Sequence, residues 1–261
     1  MESICVCGLG KVGQPILELL RARGFRATGY DRDSAKCDAG IDEVVAESTA
    51  AIFIVQTPSL ADGSFSNEHL LSALCKFRSA APKDFLYIVT STTTPGSCDG
   101  FRKIVGDSLV YKPEFIRLEH IEVDLRAPSF ILIGEGTPEA GDRAERIYHA
   151  INPGVPVRRM SLMEAELAKI TLNCALTMKI SLANQLHLVA EKLGADSHRI
   201  MEAVGSDPRI GGEYLIPGWP YGGPCLPRDN RMFQFVAQSV GVDAALSKGA
   251  DEINRMIHAT D

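Results

Sequence analysis

From Leu162 to Leu193 the chain runs without a single glycine or proline. Ser161-Leu-Met-Glu164 has the pattern of a capping box, in which the serine caps the first turn and the glutamate reaches back to it. Gly194 stands where a helix end favours a left-handed residue. The spacing therefore predicts one helix roughly 48 Å long at about 1.5 Å per residue, longer than a small domain is wide. Apolar residues recur at Met163, Leu167, Ile170, Cys174, Met178, Leu182, Leu186, Val189 and Leu193, three and four apart. A second apolar set (Leu172, Leu176, Ile180, Leu188) lies off that stripe, so the helix needs cover on more than one side. A protomer of this size can hardly supply both covers, which predicts a homodimer through the long helix. Lys169 and Asn173, four apart, share one face. Two readings of them stand at this point: Lys169 reaches out to solvent and Asn173 caps a neighbour, or both are donors in a site.

The start of the chain is as constraining. Ser3–Cys7 reads as a strand that runs into Gly8-Leu9-Gly10-Lys11-Val12-Gly13, then an apolar helix over Pro15–Leu20, then a strand Arg26–Tyr30 ending on Asp31. Placed between strand and helix, with an acid after the next strand, this glycine pattern is a dinucleotide fingerprint. Backbone N–H groups of Gly8, Leu9, Gly10, Lys11, Val12 and Gly13 would meet a pyrophosphate at the helix N-terminus. Asp31 would accept from the ribose hydroxyls and repel a 2′-phosphate, which makes NAD the expected cofactor. Strands at Ala51–Gln56 and Phe85–Thr90 each end in hydroxyl-rich turns, Thr57-Pro-Ser and Ser91-Thr92-Thr-Thr. The carboxyl ends of parallel strands line the ligand crevice of such a sheet. Phe130–Gly134 reads as the last strand of this half, and Asn152-Pro-Gly-Val-Pro156 as the domain boundary. The expected architecture is α/β: a Rossmann-type doubly wound, mostly parallel sheet over 1–156, then an all-helical domain over 157–261 built on the long helix.

Composition narrows the function classes. With 45% hydrophobic and 23% charged residues and a net charge of -6, the chain reads as a globular protein without the basic balance of a nucleic-acid or membrane-surface binder. The 7 Cys have no repeating spacing, and neither a cleavable signal nor a membrane-spanning apolar run is evident. That pattern predicts a cytoplasmic protein with reduced thiols, and no metal is called for.

Beyond the long helix, Asp196–Val204 predicts another helix and Ser206–Gly211 a loop. Pro217–Asp229 then packs glycines and prolines around Cys225, and Asn230–Asp261 is helical in pattern. A thiol in that much stiff, irregular backbone suggests more than core filling, and Asp229 four residues on would share its side of a helix starting there.

Taken together, GLGKVG, TPSLADGS, STTTPGS, KPEFIR, AELAKITLN…MKISLANQ, EKLGAD, SDPRIGG and YGGPCLPRDN resemble the UDP-glucose/GDP-mannose 6-dehydrogenase family, over most of the chain and in family order. The resemblance implies NAD-linked oxidation of the C6 alcohol of a nucleotide sugar to a carboxylate, in two hydride transfers without release of the aldehyde. It implies that Cys225 traps the aldehyde as a thiohemiacetal and then forms a thioester, and that Lys169 and Asn173 stabilise the oxyanion. Asp229 and Thr92 match the residues that position and activate a water, and Glu114 the acid of thioester hydrolysis. Gly8, Gly10, Gly13, Asp31, Lys36, Thr57 and Thr92 match cofactor contacts. Phe115, Lys169, Asn173, Tyr221 and Gly222 match the substrate-binding stretch, and Arg209 an arginine that reaches the partner subunit's substrate.

The chain departs from the family pattern in four ways. The resemblance does not extend to the family's C-terminal nucleotide-sugar-binding domain, the stretch from Asp31 to Ala51 is short, and Leu118 stands where the family has a second acid. Pro220 and Pro224 flank the Cys loop where Gly and Ser are usual. Two rival readings accompany the enzyme reading. One is a β-hydroxyacid dehydrogenase, which also carries Lys and Asn four apart on a helix but needs no thiol. The other is an NAD-binding dimerisation module without its own nucleotide-sugar oxidation.

Overall fold

The computed structural model describes residues 2–258 and divides into two compact units. The first comprises the chain up to Pro58 and Phe65–Lys169, and the second Ser59–Ser64 and the chain from Ile170. In the first unit β1 (Ser3–Cys7), α1 (Gly13–Ala22), β2 (Arg26–Tyr30), α2 (Ile41–Ala46), β3 (Ala50–Phe53), α3 (Glu68–Ala80), β4 (Leu86–Val89) and α4 (Ser97–Val105) follow in order. Next come β5 (Leu109–Tyr111), α5 (Ile121–Arg126), β6 (Ile131–Glu135), α6 (Pro138–Ile151) and β7 (Val157–Ser161). The strands form one sheet in the order β2-β1-β3-β4-β5-β6-β7, parallel except for β5 against β6.

Alternate strand residues serve opposite faces, as a period of two requires. Ile4, Val6, Ile52 and Ile88 pack with Leu17, Leu20, Ile147 and Ile151 of α1 and α6. Cys5, Phe53, Tyr87 and Tyr111 pack with Leu70, Leu74 and Phe77 of α3 and Phe101 of α4. Both faces of the sheet are thus covered by helices, the doubly wound arrangement that the fingerprint implied.

The second unit is helical: the greater part of α7 (Leu162–Leu193), then α8 (Ser197–Gly205), α9 (Leu226–Ser239) and α10 (Ala245–His258). The capping box at the start of α7 forms: the Glu164 carboxylate accepts from the Ser161 N–H at 2.8 Å and the Ser161 hydroxyl caps the Glu164 N–H at 3.3 Å. Asp196 caps α8 through the N–H groups of His198 and Arg199.

Four local expectations are corrected. β7 lies beyond the predicted boundary at 156, because Val157–Ser161 pairs in register with Ile131–Glu135; the units divide instead inside α7, after Lys169. β3 and β4 end at Phe53 and Val89, since Thr90 and Ser91 both turn their N–H groups onto the Phe53 carbonyl. The helical pattern after Asn230 is two helices broken at a turn with Gly241 at φ 74; the last three residues of the predicted stretch, 259–261, lie outside the described residues.

The fourth concerns α7 itself. Met163, Leu182, Val189 and Leu193 of the apolar stripe are 40–76% exposed. The buried face instead carries Glu166, Lys169, Asn173, Thr177, Ser181 and Asn184, interspersed with Ala165, Ile170, Cys174 and Ala183. Glu166, Asn173, Thr177, Ser181 and Asn184 each hydrogen-bond inside their own unit. Buried polar groups with partners are tolerable and specific.

Candidate functional site

The glycine turn of the first unit is shaped by close approach. Gly8 has φ 103, and a Cβ there would fall 2.3 Å from the Ile54 carbonyl oxygen. A Cβ on Gly13 would fall 1.8 Å from the carbonyl oxygen of Gly8, so the third glycine lets α1 seat against the turn. At Gly10 a Cβ would meet nothing within 4 Å. The fold thus leaves the Gly10 position open, whereas it requires glycine at the first and third positions.

A cleft of ≈ 260 Å³ opens over this turn, lined by Cys7, Gly8, Gly10, Tyr30, Asp31 and Lys36 among others. Asp31 closes on the turn: its Oδ2 accepts from the Leu9 N–H at 2.7 Å and its Oδ1 from the Asp33 N–H at 2.9 Å. Burial pushes its carboxyl up, but these N–H donors, with Lys36 and Arg32, outweigh burial and hold it below the usual carboxylate range. Lys11 and Val12 complete the turn, Lys11 exposed and Val12 at the N-cap of α1. The open Gly10, the helix N-terminus and the ionised acid fit a pyrophosphate and a ribose diol. Sequence reasoning missed the other wall: His69, Ser72 and Lys76 of α3, whose three-four spacing was the available signal.

The hydroxyl-rich turns meet. The Thr57 hydroxyl donates to the Thr92 carbonyl at 2.7 Å, and the fully buried Glu166 takes the Thr93 hydroxyl at 2.7 Å and the N–H groups of Gly96 and Cys98 at 2.8 and 3.0 Å. Glu166 thus caps α4 from α7. Burial pushes its carboxyl above the usual range against the pull of those donors. Glu114 is drawn to Lys112, whose ammonium also lies 4.5 Å from the centre of the Tyr148 ring. The next residue, Phe115, lies under the Lys169 ammonium, 5.0 Å from its ring centre.

In the second unit Cys225 immediately precedes α9 and is exposed. Asp229, in the first turn of α9, is buried; its Oδ2 accepts from the Asn173 amide at 2.6 Å and its N–H donates to the Cys225 carbonyl at 2.9 Å. Beneath them Cys174 is pushed up to about 12, by burial first and by Asp229 and Asp251 next. Tyr221 is 3% exposed with its hydroxyl on Asp251, and Gly222 is exposed. Arg209 pairs with Asp207 at 2.6 Å on the surface. Among the described residues no three His, Cys, Asp or Glu side chains are gathered to hold a metal ion, and no helix is long and apolar enough to cross a membrane.

A doubly wound sheet with a dinucleotide turn, followed in sequence by a helical unit, is a nucleotide-cofactor-binding architecture. Family models narrow it further. The NAD binding domain of the UDP-glucose/GDP-mannose dehydrogenase family matches residues 38–152, and its central domain matches 163–256. The chain belongs to this family. It is 27% identical to GDP-mannose 6-dehydrogenase of Pseudomonas syringae pv. tomato over 93% of this chain and 66% of that protein. It is 30% identical to UDP-glucose 6-dehydrogenase AglM of Haloferax volcanii over 86% of this chain and 56% of that one. A UDP-glucose dehydrogenase structure from Pyrobaculum islandicum superposes with a TM-score of 0.89 at 29% identity, covering 98% of this chain and 68% of that chain. The chain therefore spans two thirds or less of the length of these curated relatives.

Proposed function

We propose that this chain carries out NAD-dependent oxidation of the C6 alcohol of a nucleotide sugar to the uronic acid, with Cys225 as the covalent nucleophile. The observation that carries the reading is an exposed thiol directly ahead of α9, with a buried Asp229–Asn173 hydrogen bond one turn on. Gly8, Leu9, Gly10, Lys11, Val12 and Gly13 would hold the pyrophosphate of NAD, with Asp31 on the ribose and Lys36, Thr57 and Thr92 as further contacts. Two molecules of NAD, bound in turn, would each accept one of the two hydrides that the overall oxidation removes.

The protein's own groups do the rest. By the family resemblance, Thr92 and Asp229 would each serve to position and activate water for removal of the C6 hydroxyl proton, and Lys169 and Asn173 would each serve as a donor to the oxygen as charge develops on it. The Cys225 sulfur then bonds to the aldehyde carbon, and the thiol proton passes to the carbonyl oxygen, which gives a thiohemiacetal. Its oxidation leaves a thioester; water adds, the carbon–sulfur bond breaks, and the thiol and a carboxylate are released. Glu114 serves as the acid of that hydrolysis, which requires its pairing with Lys112 to open. Phe115, Tyr221 and Gly222 line the substrate stretch.

The same reading includes a homodimer through α7, supported by exposed Leu182, Val189 and Leu193 on that helix, with Arg209 reaching the partner's substrate. The test is incubation with NAD and a panel of UDP- and GDP-sugars, followed by detection of NADH and of the uronate. No NADH with any of them would leave the chain as an NAD-binding dimerisation module.

A further inference from the structure

The loop that leads to Cys225 has no helix or strand from Pro217 to Cys225 and contains Gly218, Gly222 and Gly223, with φ 82 at Gly218 and 72 at Gly223. Pro217, Pro220 and Pro224 fix φ at their own positions, but the glycines between them leave the path of the loop to be set by its partners. Two buried asparagines are such partners. On α7, Asn184 accepts from the Gly218 N–H at 2.9 Å and donates to the Trp219 carbonyl at 2.8 Å. On α10, Asn254 accepts from the Tyr221 N–H at 2.7 Å and donates to the Tyr221 carbonyl at 3.0 Å. Each amide thus engages the loop backbone in both directions, as a neighbouring strand would. Both side chains sit in buried positions, Asn184 at 0% and Asn254 at 9% exposure.

The rest of the surroundings tightens the same hold. The Tyr221 hydroxyl donates to Asp251, which also receives Asn230 and Gln234 at 2.8 Å. Downstream of the thiol, Asn173 holds Asp229. Asn173 and Asn184 lie about three turns apart on one face of α7. The loop is therefore fixed on both sides of Cys225 by one stripe of α7 together with α10.

We propose that Asn184 and Asn254 are positioning residues for the thiol: by pairing with the backbone of Gly218, Trp219 and Tyr221 they fix the loop that aims Cys225. The proposal rests on Cys225 being the working thiol, but its test does not need turnover. Trp219 is the only tryptophan of the chain and lies inside the clamped stretch, so its fluorescence reads the loop directly.

The experiment compares the wild type with Asn184→Ala, Asn254→Ala, the milder Asn254→Asp (which keeps an acceptor for the Tyr221 N–H), and Ser181→Ala. Ser181 is also buried, but it bonds the Ala250 carbonyl and not the loop. Two quantities are read at matched fractions folded: the fast component of the Trp219 anisotropy decay, and the iodoacetamide rate at Cys225 relative to the exposed Cys75, by peptide mass spectrometry over a pH series. Loss of either asparagine should enlarge the fast Trp219 component, lower the Cys225 to Cys75 ratio by at least about threefold and displace its pH profile. Asn254→Asp should fall between wild type and alanine, and Ser181→Ala should leave both quantities at wild-type values. Unchanged Trp219 motion and thiol ratio in both alanine variants would overturn the proposal, and so would an equal change in Ser181→Ala. If the loop responds as expected while no nucleotide sugar is oxidised, the enzyme reading fails and the clamp stands.

Discussion

The Asn173 amide meets the Asp229 carboxylate at 2.6 Å, in a position where Asp229 is only 2% exposed. A carboxylate so far from water depends on each donor it has: Arg228 reaches Oδ1 at 3.5 Å, and Oδ2 has the Asn173 amide from α7. Asn173→Ala should therefore cost about 1–3 kcal/mol of stability, because it leaves a buried acceptor unmet. Asn173→Asp should cost more, since it sets a second carboxylate against the first. Urea unfolding of the two variants checks the order; an Asn173→Asp protein more stable than Asn173→Ala would contradict it.

The three glycines of the nucleotide turn should separate fold from cofactor binding. Gly13→Ala forces a Cβ onto the Gly8 carbonyl and should lower the melting temperature by several degrees, an effect of at least about 1 kcal/mol. Gly10→Ala meets no protein atom. It should melt like the wild type yet bind NAD at least about tenfold more weakly, about 1.4 kcal/mol. Scanning fluorimetry beside calorimetric titration with NAD decides the matter.

Asp31 sets the choice between cofactors. With its carboxyl held below the usual range, it stays ionised as the pH falls to the ordinary carboxylate values near about 4. NAD affinity should therefore be flat from neutral pH down to that point, and NADP should bind at least about tenfold more weakly throughout. Asp31→Ala should narrow that gap, as measured by titration with both cofactors.

Glu166 gives a pH signature of the opposite sign. Its carboxyl is raised in the folded protein, so the folded state holds the proton more tightly than the unfolded chain. Its contribution is fully present below the unfolded pKa and is lost as the pH rises through the higher folded value. The stability difference between the wild type and Glu166→Gln should change across that window and level off above it. A difference independent of pH, by urea unfolding, would contradict the assignment.

Much of this was readable in the residues, for physical reasons that also explain the misses. The strands Ser3–Cys7 and Arg26–Tyr30, the glycine turn and the cap at Ser161 carry their instructions locally, and each forms at its expected place. β7 escaped notice because Val157-Arg-Arg-Met-Ser161 has little apolar character; it joins the sheet by backbone pairing and by Arg159, which bonds Glu135 and Glu145. The covered face of α7 was misjudged because apolar periodicity assumes that apolar residues go inside. Here the inner stripe is polar, and its partners (Thr93, Asp229, Asn230, Trp219) lie tens of residues away in sequence. The roles of Glu166, Asn184 and Asn254 were invisible for the same reason.

The exposed apolar residues of α7 bear on assembly. Leu182→Glu with Val189→Glu should convert a dimer into a monomer by light scattering at micromolar concentration, with little loss of protomer stability, because both residues are half exposed. A wild type already monomeric there would remove the dimer from the proposal.

The most direct test of the central claim is a count of NADH formed per nucleotide sugar consumed, for the wild type and for Cys225→Ala. The covalent route predicts two NADH and one uronate per sugar for the wild type, and a stall after the first oxidation for Cys225→Ala. Two NADH per sugar from Cys225→Ala at the wild-type rate would contradict it, and a single NADH from both proteins would mark a simple alcohol dehydrogenase.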